Sequence, residues 1–166
     1  MGEIDQKARR NPSAMLPPGS TPIARGREKQ RQALAWILRW HFSTNTIVCK
    51  VLGINDSGYL AKLAKRGLVE KIAAPSIASP LYVLTESGLW EALADTDDLI
   101  PYPNDPHRIN HTLVRHGLCI QQTVVNLHGL EKVVPERLLI ARGQTGDKMP
   151  DALVMTAKTS RPTCLA

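Results

Sequence analysis

One short segment of the chain alternates apolar positions with side chains that can contact nucleic acid. Leu60, Leu63 and Ala64 recur at helical spacing and define one apolar face. The opposite face presents hydroxyl and cationic groups, of which hydroxyls can hydrogen-bond to base edges and cations can neutralise phosphates. The residues that we expect to contact DNA are Asn55, Ser57, Tyr59, Lys62, Lys65 and Arg66, with Arg25 and Arg27 nearer the N-terminus.

A second chemistry is indicated near the C-terminus, where Pro150-Asp151 precedes an apolar run that predicts a strand from Ala152 to Met155. Metal-assisted phosphodiester cleavage needs two carboxylates on the metal and a nearby cation. Asp151 can supply one carboxylate, but no acid lies between it and Lys158. A turn before a strand is the common structural role of Pro-Asp. We therefore expect no catalytic residue, no metal and no cofactor, with Asp151 and Lys158 as candidates only if Mg²⁺ is bound.

The elements that position the DNA-contacting segment are predicted by hydrophobic spacing. Two apolar-periodic segments, at 33–38 and 47–52, precede a break at Gly53-Ile54-Asn55 and a third segment that ends at Gly67. Ser43 and Asn55 are the expected N-caps of the second and third helices. An extended run, a loop and another extended run follow. This order is typical of a helix-turn-helix with a wing, which places one short helix in a DNA groove.

The charge distribution agrees with this interpretation. The chain has a formal net charge of +6. Residues 1–31 hold seven Lys or Arg against three acids, residues 32–94 hold six against four, and residues 95–166 hold eight against eight. A basic N-terminal end beside a groove-reading helix would attract phosphates and make binding sensitive to salt. The predicted wing, residues 73–80, contains no Lys or Arg, so we expect binding to depend on the helix and the basic arm.

Composition along the chain predicts four parts. Residues 1–24 are rich in proline and basic residues and are expected to form a flexible basic arm; residues 25–94 form the winged helix-turn-helix; residues 95–106 form an acidic, proline-broken linker. Residues 107–166 are expected to contain one long helix, from His107 to Leu127, and short strands at Arg137–Ile140 and Ala152–Met155. No apolar run approaches a membrane span and no signal pattern is present, so we expect a soluble, cytoplasmic protein without a membrane partner.

The winged-helix pattern, the proline linker, His107-Arg-Ile-Asn-His111 and the late Met149-Pro-Asp-Ala-Leu-Val154 together resemble the plasmid mobilization and replication-relaxation proteins, the MobC-like group. The resemblance covers about residues 25–155. It implies an N-terminal winged helix joined to a restriction-endonuclease-like domain that acts at a plasmid transfer origin or a related site. By position it matches His111 to a histidine on the nuclease-domain helix and Asp151 to the Pro-Asp carboxylate. The second acid and its Lys or Glu partner have no counterpart, which indicates a truncated chain or a naturally shortened relative.

We therefore expect an α+β protein, a winged helix-turn-helix followed by a small, truncated α/β restriction-endonuclease-like domain. The expected function is sequence-specific binding of double-stranded DNA, as an accessory or regulatory factor of plasmid mobilization or replication at a transfer origin or promoter. The alternative is a metal-dependent DNA nickase of the relaxase kind, using Asp151, His111 and Lys158 with Mg²⁺. The expected partners are duplex DNA, a second copy of the chain in a homodimer, and mobilization or relaxosome proteins.

Overall fold

The computed structural model describes residues 21–94, 96, 100–127, 130–143, 149–156 and 159–165. Helices and small antiparallel sheets make up these parts of the chain, which confirms the α+β class. The elements are α1 (Pro22–Trp40), β1 (Ser43–Thr44), α2 (Asn45–Val51), α3 (Tyr59–Lys65), β2 (Val69–Ile72), β3 (Leu81–Leu84), α4 (Glu86–Leu93), α5 (Val114–Asn126), β4 (Leu130–Pro135), α6 (Glu136–Ala141), β5 (Ala152–Thr156) and β6 (Thr159–Leu165).

The first helix begins earlier than the sequence predicted. Thr21 is the N-cap of α1, and its hydroxyl accepts a hydrogen bond from the backbone N–H of Ala24 at 3.1 Å. Pro22 occupies the first turn, where its missing N–H has no helical acceptor to lose. The last residues of the predicted arm, 1–24, therefore belong to a helix, and residues 1–20 lie outside the described residues.

The first sheet has the strand order β1-β3-β2 and is antiparallel throughout. All four residues of β3 are buried because this central strand is covered on both faces. Tyr82 and Leu84 belong to the main core, a cluster of buried residues around Leu34, Ile37 and Leu60. The other two residues of β3 belong to a second cluster, which we name the outer cluster. It consists of Ala74, Leu81, Val83, Ile109 and Val114.

Two of the expected helix caps were assigned to the wrong residues. Thr44, not Ser43, is the N-cap of α2: its hydroxyl accepts the backbone N–H of Ile47 at 3.4 Å, whereas the Ser43 hydroxyl donates to Gln121. Gly58, not Asn55, occupies the N-cap position of α3, which has no side-chain cap. The stop at Gly67 is confirmed, since this glycine has φ +72°, a left-handed conformation that side chains disfavour.

The second half of the chain differs from the prediction in two elements. The expected helix from His107 to Leu127 begins only at Val114. The strand expected at Arg137–Ile140 is wrong, because these residues lie in α6. A short apolar run is compatible with either structure, and here Leu138 and Leu139 pack into the main core from a helix. The strand at Ala152–Met155 is confirmed as part of β5, the centre of the antiparallel sheet β4-β5-β6.

The segment expected to be a linker, residues 95–106, packs against the first half through Ile100 and Tyr102. Ile100 is buried in the main core. The hydroxyl of Tyr102 accepts the backbone N–H of Leu84 at 2.8 Å and donates to the carbonyl of His41 at 3.1 Å. Burial raises the pKa of Tyr102 to about 12, which keeps this hydroxyl a donor. The two halves therefore share one core over the described residues.

A half-buried arginine, Arg137, also joins α6 to α1. The guanidinium of Arg137 donates to the carbonyl of Leu38 at 2.6 Å and to that of Arg39 at 3.3 Å, close to the C-terminus of α1. It also donates to the carbonyl of Pro101 and lies 5.8 Å from the ring centroid of Tyr102. A cation is favoured where a helix exposes its last carbonyls. In the parts of the chain that are described, none of the helices has both the length and the apolar character to cross a membrane.

Candidate nucleic-acid interface

The turn between α2 and α3 is held by one asparagine side chain. Asn45 Oδ1 accepts the backbone N–H of Leu60, and Asn45 Nδ2 donates to the carbonyl of Asp56, each at 2.8 Å. The thiol of Cys49 donates to the same carbonyl at 3.0 Å. Burial raises the pKa of Cys49, so the thiol keeps the proton that it donates. These contacts fix the start of α3 relative to α2 without using any group on its outer face.

That outer face carries most of the residues predicted to contact DNA. Leu60 and Leu63 turn inward to the main core. The residues on the outer side and in the preceding turn are exposed: Asn55, Ser57, Lys62, Lys65 and Arg66. These five side chains are therefore accessible to a ligand.

Tyr59 takes a different position from the other predicted contacts. Its ring is half-buried and packs against the main core. Burial raises the pKa of its phenol. The side chain therefore contributes to holding the first turn of α3, and only part of it is open to a ligand.

The two cations of α3 and Arg66, which directly follows the helix, differ in their partners. Lys62 Nζ forms an exposed ion pair with Asp56 Oδ2 at 2.7 Å, and this hydrogen bond, with that from the N–H of Gly58, lowers the pKa of Asp56. Arg66 donates to the side-chain oxygen of Gln30 in α1. Lys65 makes no ion pair or side-chain hydrogen bond with the described residues. A phosphate would compete with Asp56 for Lys62 but would meet Lys65 without a competing acid.

The two predicted contacts in α1 lie in a different setting. Arg25 and Arg27 are exposed. Arg27 and Arg66 line the same open cleft, which also contains the carboxylates of Glu28 and Glu91. These carboxylates would repel an anion, so the cleft is less suited to phosphate than the outer face of α3.

Of the candidate nuclease residues, Asp151 contacts a histidine other than His111. Asp151 lies just before β5, and its Oδ1 is 2.9 Å from Nε2 of His116 in α5. His111 lies in the turn before α5 rather than on the helix, and it is exposed. Lys158 lies outside the described residues. The backbone N–H of Glu136 donates to the carbonyl of Asp151 at 2.8 Å. Within the described ranges, no three His, Cys, Asp or Glu side chains are grouped closely enough to hold a metal.

Sequence reasoning missed two residues that the tertiary structure makes important. His116 is exposed on α5, and it is the side chain that contacts Asp151. Gln121 is fully buried in α5, where its Oε1 accepts from Trp36 Nε1 at 3.1 Å and from Ser43 Oγ at 2.8 Å. Its Nε2 donates to the carbonyl of Phe42 at 2.9 Å. The helical spacing of α5 was the available signal for both, but it does not identify their partners.

No family model matches the chain, and no curated protein or solved structure is significantly similar to it.

Proposed function

We propose that the protein binds double-stranded DNA in a sequence-specific manner, with residues 25–94 as a winged helix and α3 as its recognition helix. The observation that carries the proposal is that α3 is held firmly on one face and exposed on the other. Its inner face is fixed by Leu60, Leu63 and the bonds from Asn45, while Ser57 and Lys65 remain exposed. A recognition helix needs this combination of rigid support and a free polar face.

The exposed groups divide into two roles. Asn55 and Ser57, in the turn before α3, offer neutral hydrogen-bonding groups for base edges. Lys62 and Lys65 supply charge for phosphates, which sets affinity but carries no sequence information. Arg66 contacts Gln30, and we assign it to orienting the end of α3 against α1.

The biological setting that we propose follows from the sequence resemblance. The protein would act in the cytoplasm as an accessory or regulatory factor of plasmid mobilization or replication, at a transfer origin or promoter. Binding as a homodimer would double the contacted site, as is usual for helix-turn-helix proteins. Mobilization or relaxosome proteins are the other proposed partners.

The proposal is tested by selecting bound sequences from a random duplex pool and measuring affinity for the selected site. Lys65→Gln should weaken binding to every duplex and reduce the magnitude of the salt slope by about 0.9, the contribution of one phosphate contact. Ser57→Ala should change the preferred bases instead. Lys29→Gln, in α1, is the matched control and should leave both properties unchanged. Selection without enrichment, or equal effects of Lys65→Gln and Lys29→Gln, would contradict the proposal.

A metal-dependent DNA nickase of restriction-endonuclease-like fold is the second candidate. The observation that favours it is the 2.9 Å contact between Asp151 and His116, with Glu136 adjacent to Asp151 through a backbone hydrogen bond. A metal such as Mg²⁺ would supply Lewis-acid activation of the phosphodiester. Asp151 is the carboxylate that would bind it. Nicking of supercoiled plasmid distinguishes this candidate from binding alone.

A further inference from the structure

The loop between β2 and β3, residues 73–80, has no cation of its own, but a later part of the chain is packed against it. Ile109 and Val114 share the outer cluster with Ala74 of this loop. Arg115 Nε donates to the carbonyl of Ser76 at 2.9 Å. His107 Nε2 lies 3.2 Å from Glu70 Oε2 on β2. We name residues 107–115 the loop-support segment.

The loop-support segment places charge where the loop lacks it. Arg108, His111 and Arg115 are all exposed. The side chains of Arg108 and His111 make no hydrogen bond or ion pair with the described residues, and Arg115 uses one guanidinium N–H on a neutral carbonyl. Each arginine therefore keeps N–H donors that no carboxylate in the described chain engages.

Two carboxylates lie near this segment, and each has a partner within the described chain. Glu70 faces His107. Asp105 Oδ1 accepts the backbone N–H of His107 at 3.0 Å. The surface formed by the β2–β3 loop and the loop-support segment thus exposes two arginines, Arg108 and Arg115, although the loop alone has no cation. Its positive charge comes from a region that sequence reasoning assigned to another domain.

We propose that Arg108 and Arg115 bind backbone phosphates of the same duplex that α3 contacts. The inference rests on the proposed function, because the β2–β3 loop is the wing of the proposed winged helix. In such folds a wing lies beside the duplex backbone. Two arginines held against it by Ile109 and the Ser76 carbonyl would replace the cations that the loop lacks. The C-terminal half then adds affinity without adding base contacts.

The test uses the full chain and a fluorescein-labelled duplex pool of random sequence, with affinity measured by anisotropy between about 50 and 200 mM salt. Arg108→Gln and Arg115→Gln should each reduce the magnitude of the salt slope by about 0.9, and by about 1.8 when combined. Arg115→Lys should retain the slope because it keeps the charge. Arg142→Gln removes an exposed cation after α6, outside the loop-support segment, and should not change the slope.

The outcomes separate this inference from the proposed function. Binding by the unmodified protein with a slope that Arg108→Gln and Arg115→Gln leave unchanged would overturn this inference alone. Absence of any duplex binding by the unmodified protein would overturn both. If Arg115→Gln unfolds the chain, as followed by circular dichroism, Arg108→Gln decides the question by itself, since its side chain supports no described contact. A reduced slope with the preferred sequence of the selected site unchanged is the expected result.

Discussion

Gln121→Leu should destabilise the protein far more than the same change at the next residue. The Gln121 side chain is fully buried and satisfies three groups: the indole N–H of Trp36, the hydroxyl of Ser43 and the carbonyl of Phe42. Leucine has a similar size but cannot hydrogen-bond, so the change leaves these groups without their partner. Gln122 lies one position along α5, and among the described residues its side chain hydrogen-bonds only to Asn126, on the exposed side of the helix.

The magnitude follows from the burial of each partner. An unsatisfied buried polar group costs about 1–3 kcal/mol, and Ser43 is fully buried, whereas the bonds to Trp36 and Phe42 are partly buried. The sum is about 3–5 kcal/mol, of which burying the leucine side chain offsets about 1.5–2 kcal/mol. The expected net loss is therefore about 1–3.5 kcal/mol. For Gln122→Leu, the loss of one exposed helical pair predicts about 0.3 kcal/mol.

The assay is urea unfolding of both variants and the unmodified protein, followed by far-ultraviolet circular dichroism and by tryptophan fluorescence. Combining Ser43→Ala with Gln121→Leu should cost less than the sum of the two separate changes. Gln121→Leu leaves the Ser43 hydroxyl without its acceptor, and Ser43→Ala removes that hydroxyl. If Gln121→Leu and Gln122→Leu differ by less than about 0.5 kcal/mol, the ordinary range of surface substitutions, the assigned role of the buried network is wrong.

Three further predictions concern α4, the packed linker and the candidate nuclease residues. Gly88→Ala should destabilise the fold by several kcal/mol, since its Cβ would lie 1.8 Å from the carbonyl oxygen of Leu68. Gly26→Ala is the control, because Gly26 has open space around it, and it should stabilise α1 by up to about 1 kcal/mol. Urea unfolding measures both changes. The pKa of Tyr102 is raised from 10.0 to about 12, so the unfolded chain loses this proton first, and stability should fall as pH rises from 10 to about 12, by at most about 2 kcal/mol. Tyr102→Phe should remove that part of the alkaline loss while lowering stability at neutral pH. Supercoiled plasmid incubated with the protein and Mg²⁺ or Mn²⁺ should stay closed; open circles that disappear with Asp151→Ala would instead favour the nickase.

Local features of the sequence predicted the elements around α3 with good accuracy. The spacing of Leu60 and Leu63 gave the buried side of α3, and the exposure of Ser57 and Lys65 followed from it. Gly67 marked the end of the segment correctly. These signals work because helical periodicity and the left-handed preference of glycine depend on neighbouring residues only. The same signals failed at Arg137–Ile140, where a short apolar run fits a strand or a helix equally well.

The site depends more strongly on contacts that join distant parts of the chain. Nothing in the spacing around Asp151 identifies His116 as its partner, since 35 positions separate them. Likewise, the β2–β3 loop is neutral in sequence, and Arg115 reaches Ser76 only because α5 packs over the first sheet. Residues 95–106 looked like a linker because proline and acidic residues are common in linkers, whereas Ile100 and Tyr102 pack into the fold.

The sequence by itself determined the order of the elements from α1 to β3 apart from the two-residue β1, the inner face of α3 and the concentration of positive charge toward the N-terminal half. Tertiary structure alone decided which of two adjacent glutamines in α5 is buried. Gln121 and Gln122 are identical in local chemistry and differ by one step around the helix. The docking of α5 on Trp36, Phe42 and Ser43 encloses only the first. A buried amide is stabilised by partners from other elements, and the positions of those partners are set by the folded chain rather than by spacing along it.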